Sequence, residues 1–174
     1  MAHGDFATRR ITGRMTEAEE RGLIAAGRDA VARATGSVPR GWCGQDFNES
    51  ARTTALLAEA GFGYTTDWSN DDRPYRFTSG LLSLPAHSEW NDLECMWLRR
   101  VPPAVWADGV AEAFAVLHGE GGVAFNLTLH PWISGQAHRI RHLGSALSRV
   151  LGMGGVWQAG TDAVAAAVQR HEGA

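Results

Sequence analysis

The residues able to do chemistry sit where apolar runs stop. Val123 to Leu129 is an apolar run of strand length, opened by Gly121-Gly122 and closed by His130 and Pro131. Phe62 to Thr66 is rich in aromatic and β-branched residues and runs into Asp67-Trp68-Ser69-Asn70-Asp71-Asp72. Leu81 to Pro85 is followed by His87-Ser88-Glu89-Trp90-Asn91-Asp92. His130 is the first candidate for proton transfer. Asp67 is the candidate catalytic carboxylate, and Asn70, Asp71, Asp72, Glu89, Asn91 and Asp92 are candidates for hydrogen bonds to a substrate. Trp42, Trp68 and Trp132 lie at or near loop signals and could wall a pocket. His138 closely follows the His130 loop and joins the candidates. Each has a plainer reading: a histidine capping a strand, a carboxylate solvated in a turn, a tryptophan in the core.

The elements that would bring these residues together follow from the pattern. Thr16, with Glu19 three residues on, makes a capping box for a helix with Leu23, Ala26, Ala30, Val31 and Ala34 on one face and Gly36 as its stop. Val38 to Trp42 reads as a short strand. Ser50 caps a helix over 51–60. Pro102 and Pro103 open a helix with Val105, Val110, Phe114 and Leu117 inward. His138 to Leu151 is a predicted helix with Ile140, Leu143, Leu147 and Val150 buried. Val156-Trp157 reads as a last strand, and Thr161 caps a last helix. Strands alternate with helices, which predicts the α/β class with a largely parallel sheet. Polar residues at the ends of parallel strands then gather along one edge. His138 and His142 are four apart on a predicted helix, a metal-binding spacing without a third ligand nearby.

The chain has 174 residues and a net charge of -3, with no basic run, which argues against a nucleic-acid partner. No stretch approaches the roughly 18 consecutive apolar residues of a membrane span. Met1 to Arg14 is polar and carries no secretory signal. Cys43 and Cys95 lie far apart and outside zinc-ligand spacing. The expectation is a cytoplasmic protein with reduced thiols, and residues 1–174 read as a single domain.

The order of these motifs resembles the polysaccharide deacetylase family, with its NodB homology domain. Ala34-Thr35-Gly36 with Pro39-Arg40-Gly41-Trp42 is similar to the segment entering the family's third motif. Leu56 to Phe62 is similar to the helix end and strand start that follow it and lead into Asp67-Trp68. Leu127-Thr128-Leu129-His130-Pro131 resembles the family's Leu-x-x-His motif. Asn70-Asp71-Asp72, Pro74-Tyr75, Leu84-Pro85 and Glu89-Trp90-Asn91-Asp92 are similar to the allantoinase-like branch in particular. The resemblance implies a distorted (β/α) barrel and an enzyme that cleaves amides. It makes His130 the general acid at the leaving nitrogen and Asp67 the residue that orients it. It implies either a divalent metal such as zinc or, as in some members of the allantoinase-like branch, metal-independent chemistry.

This sequence departs from the family pattern at several points. The motif with two aspartates, one of them the general base, is expected upstream of Met1, so the barrel would lack its first strands. Of the two histidines four apart in the second motif, His3 matches the first and Ala7 stands at the second. His3 is therefore the one candidate metal ligand. The family's arginine falls at Cys43. Two function classes remain: a hydrolase of carbon-nitrogen bonds in a small-molecule or carbohydrate amide, or a degenerate relative that binds such a ligand without turnover. A barrel lacking strands would expose sheet edges, which favours a homo-oligomer.

Overall fold

The computed structural model describes residues 1–121 and 124–172. They form two compact units: Met1–Pro85 with Gly160–Ala174, and Ala86–Ala159. Gly122 and Val123, at the start of the predicted central strand, lie outside the described residues.

The first unit is built on a four-stranded sheet in the order β1-β2-β4-β3. β1 (Gly41–Trp42), β2 (Tyr64–Thr65) and β4 (Leu82–Ser83) are parallel, and β3 (Tyr75–Arg76) returns antiparallel to β4. The three parallel strands fall within the predicted runs but are shorter, and β3 is an element the sequence does not signal. Ala2 adds an isolated parallel bridge to Trp42. Its N–H donates to Gly41 O and its carbonyl accepts from Cys43 N, so His3 leaves the edge of the sheet.

α1 (Glu17–Thr35) begins with the expected capping box. Thr16 Oγ1 accepts from Glu19 N, and Glu19 Oε2 accepts from Thr16 N. It ends at Gly36, whose φ of 73° suits a residue without a side chain. Its buried stripe is Glu20, Leu23, Ile24 and Gly27, which shares Leu23 with the predicted face but leaves Ala26, Ala30 and Ala34 outside it. The apolar members of that stripe join Ala2, Ile11, Trp42, Leu56, Leu57, Phe62 and Leu81 in one core. Each fully buried large apolar side chain there contributes about 1.5–3 kcal/mol.

Glu20 is a carboxylate with no solvent exposure inside this unit. It accepts from Ser50 Oγ, Thr53 Oγ1 and Arg52 Nη2, the residues that open α2 (Thr53–Glu59). Those donors meet the cost of burying the charge and tie the two helices together. α6 (Thr161–Glu172) closes the unit from the far end of the sequence. Its Ala165, Val164 and Val168 pack on Tyr64, Leu82 and Leu84. Tyr64 donates to Asp162, and Arg76 pairs with Glu172 at 2.6 Å.

The second unit is helical. α3 (Pro103–Glu120) packs on α5 (Ile140–Leu151) over a core of Cys95, Met96, Trp106, Ala107, Val110, Ile133, Leu143 and Ala146. Val105, Ile140 and Leu147, expected inside, are exposed. The inward positions go to Trp106, Ala107 and Ala146. Among the described residues this unit contains no strand. Residues 124–129 instead run as an irregular segment, and 156–157 likewise form no strand. An extended run becomes a strand only when a neighbour supplies ladder hydrogen bonds. Here Asn126 O accepts from Trp90 Nε1 at 3.1 Å and Thr128 O from Asp92 N at 3.4 Å, while Phe125 stacks on Trp90 at 4.8 Å.

Candidate active site

In the helical unit His130 is the N-cap of a one-turn helix, α4 (Pro131–Ser134). It does not follow a strand. Its carbonyl accepts from Ile133 N at 2.8 Å and Ser134 N at 3.1 Å, and Pro131 at N1 supplies a preset φ. The ring is held by Asp92. Nδ1 lies 2.6 Å from Asp92 Oδ1, and the His130 backbone N–H donates to Asp92 Oδ2 at 2.7 Å. Asp92 has no solvent exposure, whereas the His130 side chain is 31% exposed. Both oxygens of one buried carboxylate are thus committed to one residue, which sets the ring's tilt and leaves Nε2 as its working edge.

Asp92 is positioned by an unusual turn. It immediately precedes a π-helical segment, Leu93–Leu98, a geometry common at functional sites. Asn91, a predicted substrate contact, is buried and accepts from Leu93 N at 2.9 Å, so it is an opening cap for that turn. Glu89 points to solvent and pairs with Arg99 at 3.0 Å. Trp132 is 51% exposed and makes edge contacts with Trp97 at 5.1 Å and His130 at 6.2 Å. Trp97, itself 42% exposed with Arg100 over its ring, completes an aromatic pair beside the imidazole. His138 is exposed in the turn before α5.

Asp67 belongs to the sheet unit, just beyond β2, and is 9% exposed. Its Oδ1 accepts from Gly44 N at 2.7 Å. Gly44 permits that approach, since a Cβ there would stand 3.0 Å from Asp67 Oδ2 and 2.9 Å from Asn48 O. Asp67, Trp68, Asn70 and Glu49 line a cavity of about 420 Å³. Trp68 Nε1 donates to Glu49 Oε2 at 3.0 Å, and Asn70 Oδ1 accepts from Tyr75 at 2.9 Å. Burial and the neighbouring Asp67 push Glu49 up to about 8, and burial also raises Asp67. Burial drives the Cys43 thiol to about 12. The loop before Glu49 is strained: Asp46 and Phe47 both take left-handed φ angles, 51° and 57°.

The remaining expected contacts fall elsewhere. Trp42 is 1% exposed and packs edge-on against Phe62 in the core, so it reaches no ligand. Asp71 is an exposed turn residue that accepts from Arg73 N, which holds its carboxyl below the usual range. Asp72 is half-buried in the same turn. The carboxylate on His130 Nδ1 is Asp92, and Asp67 makes its own bond to Gly44. Glu49 and Trp97 carry no signal in the sequence, because neither stands at a strand end or at a distinctive spacing.

The donors do not fit a metal ion. Among the described residues no three His, Cys, Asp or Glu side chains gather. His3 Nδ1 is 2.6 Å from Cys43 O, which leaves one imidazole where a zinc site takes about three protein ligands. No described helix is long and apolar enough to cross a membrane.

No family model and no curated protein matches the chain. Solved structures do. A putative polysaccharide deacetylase from Mycobacterium smegmatis is 27% identical with a TM-score of 0.87, over 98% of this chain and 62% of that one. A probable polysaccharide deacetylase from Pseudomonas aeruginosa PAO1 is 25% identical at 0.85, over 97% and 58%. The Puue allantoinase is 24% identical at 0.82, over 94% and 56%, a likeness of fold. This chain therefore spans about three-fifths of the length of the structures it matches. With its mixed α/β fold and that likeness over nearly its whole length, the chain is similar to polysaccharide deacetylases of the NodB-like type.

Proposed function

We propose that the protein is a hydrolase of carbon-nitrogen bonds in non-peptide amides, with His130 as the general acid. The observation that carries this reading is the Asp92–His130 pair. A buried carboxylate on Nδ1 fixes the ring, so that Nε2 can be turned to a leaving nitrogen. The solved relatives are named as deacetylases and an allantoinase, enzymes whose reactions break such bonds. Trp132 and Trp97 would form the wall against which an acyl, sugar or ureide group rests. Asp67, with Trp68 and Asn70, lines the cavity of the sheet unit and would contribute polar contacts there.

The chain is read as part of a distorted (β/α) barrel of the NodB type, close to the allantoinase-like branch, acting on a small-molecule or carbohydrate amide. Its residues supply the acid half of the reaction, and no metal step is routed through them. The decisive experiment is hydrolysis of an acetamide panel and a ureide panel by the purified protein and by His130→Ala. Turnover by the intact chain that is lost in the variant supports the reading. Ligand retention with no turnover in either protein would leave the chain a binder.

A further inference from the structure

We infer that Arg100 determines which substrate is taken: the amide brought to His130 carries a carboxylate, and the Arg100 guanidinium receives it. This deepens the hydrolase reading, on which it rests for the reacting atoms, by naming a substrate class. The backbone gives the first reason. Arg100 follows the π-helical segment Leu93–Leu98 and takes a left-handed φ of 57°. Val101 N then donates to Cys95 O at 2.9 Å and closes the turn. Glycine would meet that need without strain, whereas an arginine is held there against its own preference. The turn alone gives no reason for an arginine, so the reason lies with the side chain.

The two consecutive arginines are used differently. Arg99 keeps a φ of -83° and pairs with Glu89 at 3.0 Å. Arg100, past the reversal, holds its guanidinium 5.3 Å from the centroid of the Trp97 ring. It is exposed, and among the described residues it makes no ion pair and no hydrogen bond. A guanidinium over an indole keeps its charge, and its N–H edge stays open to a bidentate carboxylate. From there the ring contacts run on to the imidazole. Trp97 meets Trp132 at 5.1 Å, and Trp132 meets His130 at 6.2 Å. Both indoles and the imidazole are partly open to solvent. A substrate can therefore lie along the indoles with its carboxylate at Arg100 and its leaving nitrogen at His130. Glu89 and Asp92 are already paired, with Arg99 and His130, which lowers the cost of bringing in an anion.

The test compares probes that differ only in the carboxylate: ureidopropionate against propylurea, and acetamidobutyrate against butylacetamide. Calorimetric titration of the full chain reads binding, and product release reads hydrolysis. The intact chain should bind each acid about fivefold more tightly than its neutral counterpart, and added salt should shrink the gap. In turnover the gap should sit in KM rather than kcat. Arg100→Gln should abolish the gap and leave the neutral probes bound as before. Arg141→Gln, which removes an exposed arginine of the same unit, should leave the gap intact. If Arg100→Gln does not fold, Arg100→Gly, which suits the left-handed backbone, takes its place. Equal binding of acid and neutral probe by the intact chain, or binding of neither, would overturn the inference. So would a gap that survives in Arg100→Gln or is lost equally in Arg141→Gln. A gap that depends on Arg100, with no hydrolysis of any probe, would remove the hydrolase reading and leave the choice of ligand by Arg100 standing.

Discussion

Asp92 and Asp67 are both buried aspartates, and they are satisfied in opposite ways. Asp92 in the helical unit has both oxygens on His130, one on its backbone N–H and one on its ring. Asp67 in the sheet unit has one oxygen on a backbone N–H and one with no protein donor. A fully bonded carboxylate can stay ionised in the interior and act as a fixed support. A half-bonded one must recruit a proton or a ligand. The first arrangement is suited to hold another group's proton-transfer geometry, the second to exchange protons itself. Glu20, which accepts from three side chains, stands with Asp92.

The contrast is sharpest in turnover. His130→Ala should lower kcat by roughly 10²–10⁴-fold, the usual worth of a positioned acid. Asp92→Asn should cost a similar factor while Asp67→Asn costs less, and steady-state rates on an amide substrate would reverse the assignment if the order were inverted. Because His130 and Asp92 would act as a unit, the double variant should be little worse than either alone. In stability, Glu20→Ala should cost about 2–3 kcal/mol in urea unfolding. That is less than for a fully buried pair, because Arg52 still reaches water.

The pH dependence of stability separates the two carboxylates further. In the folded chain Glu49 keeps its proton up to about pH 8, against an ordinary value of 4.5. The folded state then holds an extra proton between those limits. Its contribution is fully present below pH 4.5 and is lost as pH rises through about 8. Melting curves from pH 5 to 8 should show the wild type losing stability relative to Glu49→Gln, and parallel curves would rule the raised Glu49 value out. Smaller again, Trp97→Ala should raise KM several-fold with kcat nearly unchanged, since an exposed aromatic edge contact contributes about 0.5–1.5 kcal/mol. Asp71→Ala should change stability by less than about 0.5 kcal/mol, because it sits in an exposed turn.

Local signals are legible where one residue and its near neighbours decide the outcome. Thr16 with Glu19 and Gly36 mark the ends of α1 because caps satisfy backbone groups within one turn. The buried face of that helix is not legible at Glu20, since a carboxylate reads as exposed unless its three donors, 30 or more residues away, are known. Ala124 to Leu129 cannot be told from a strand by its pattern, because pairing depends on partners that the local sequence does not name.

What the sequence determined by itself was chemistry and order: the histidine at 130, the carboxylates after the apolar runs, and a motif succession similar to that of the polysaccharide deacetylases. Those are properties of residue type and spacing. Which carboxylate meets the imidazole, and which oxygen is left bare, was decided only in three dimensions. Asp92 and Asp67 are the same residue in similar contexts, and the donors that distinguish them, His130 and Gly44, lie 38 and 23 positions away. Burial and hydrogen bonding act across space, so no reading of neighbours along the chain can assign them.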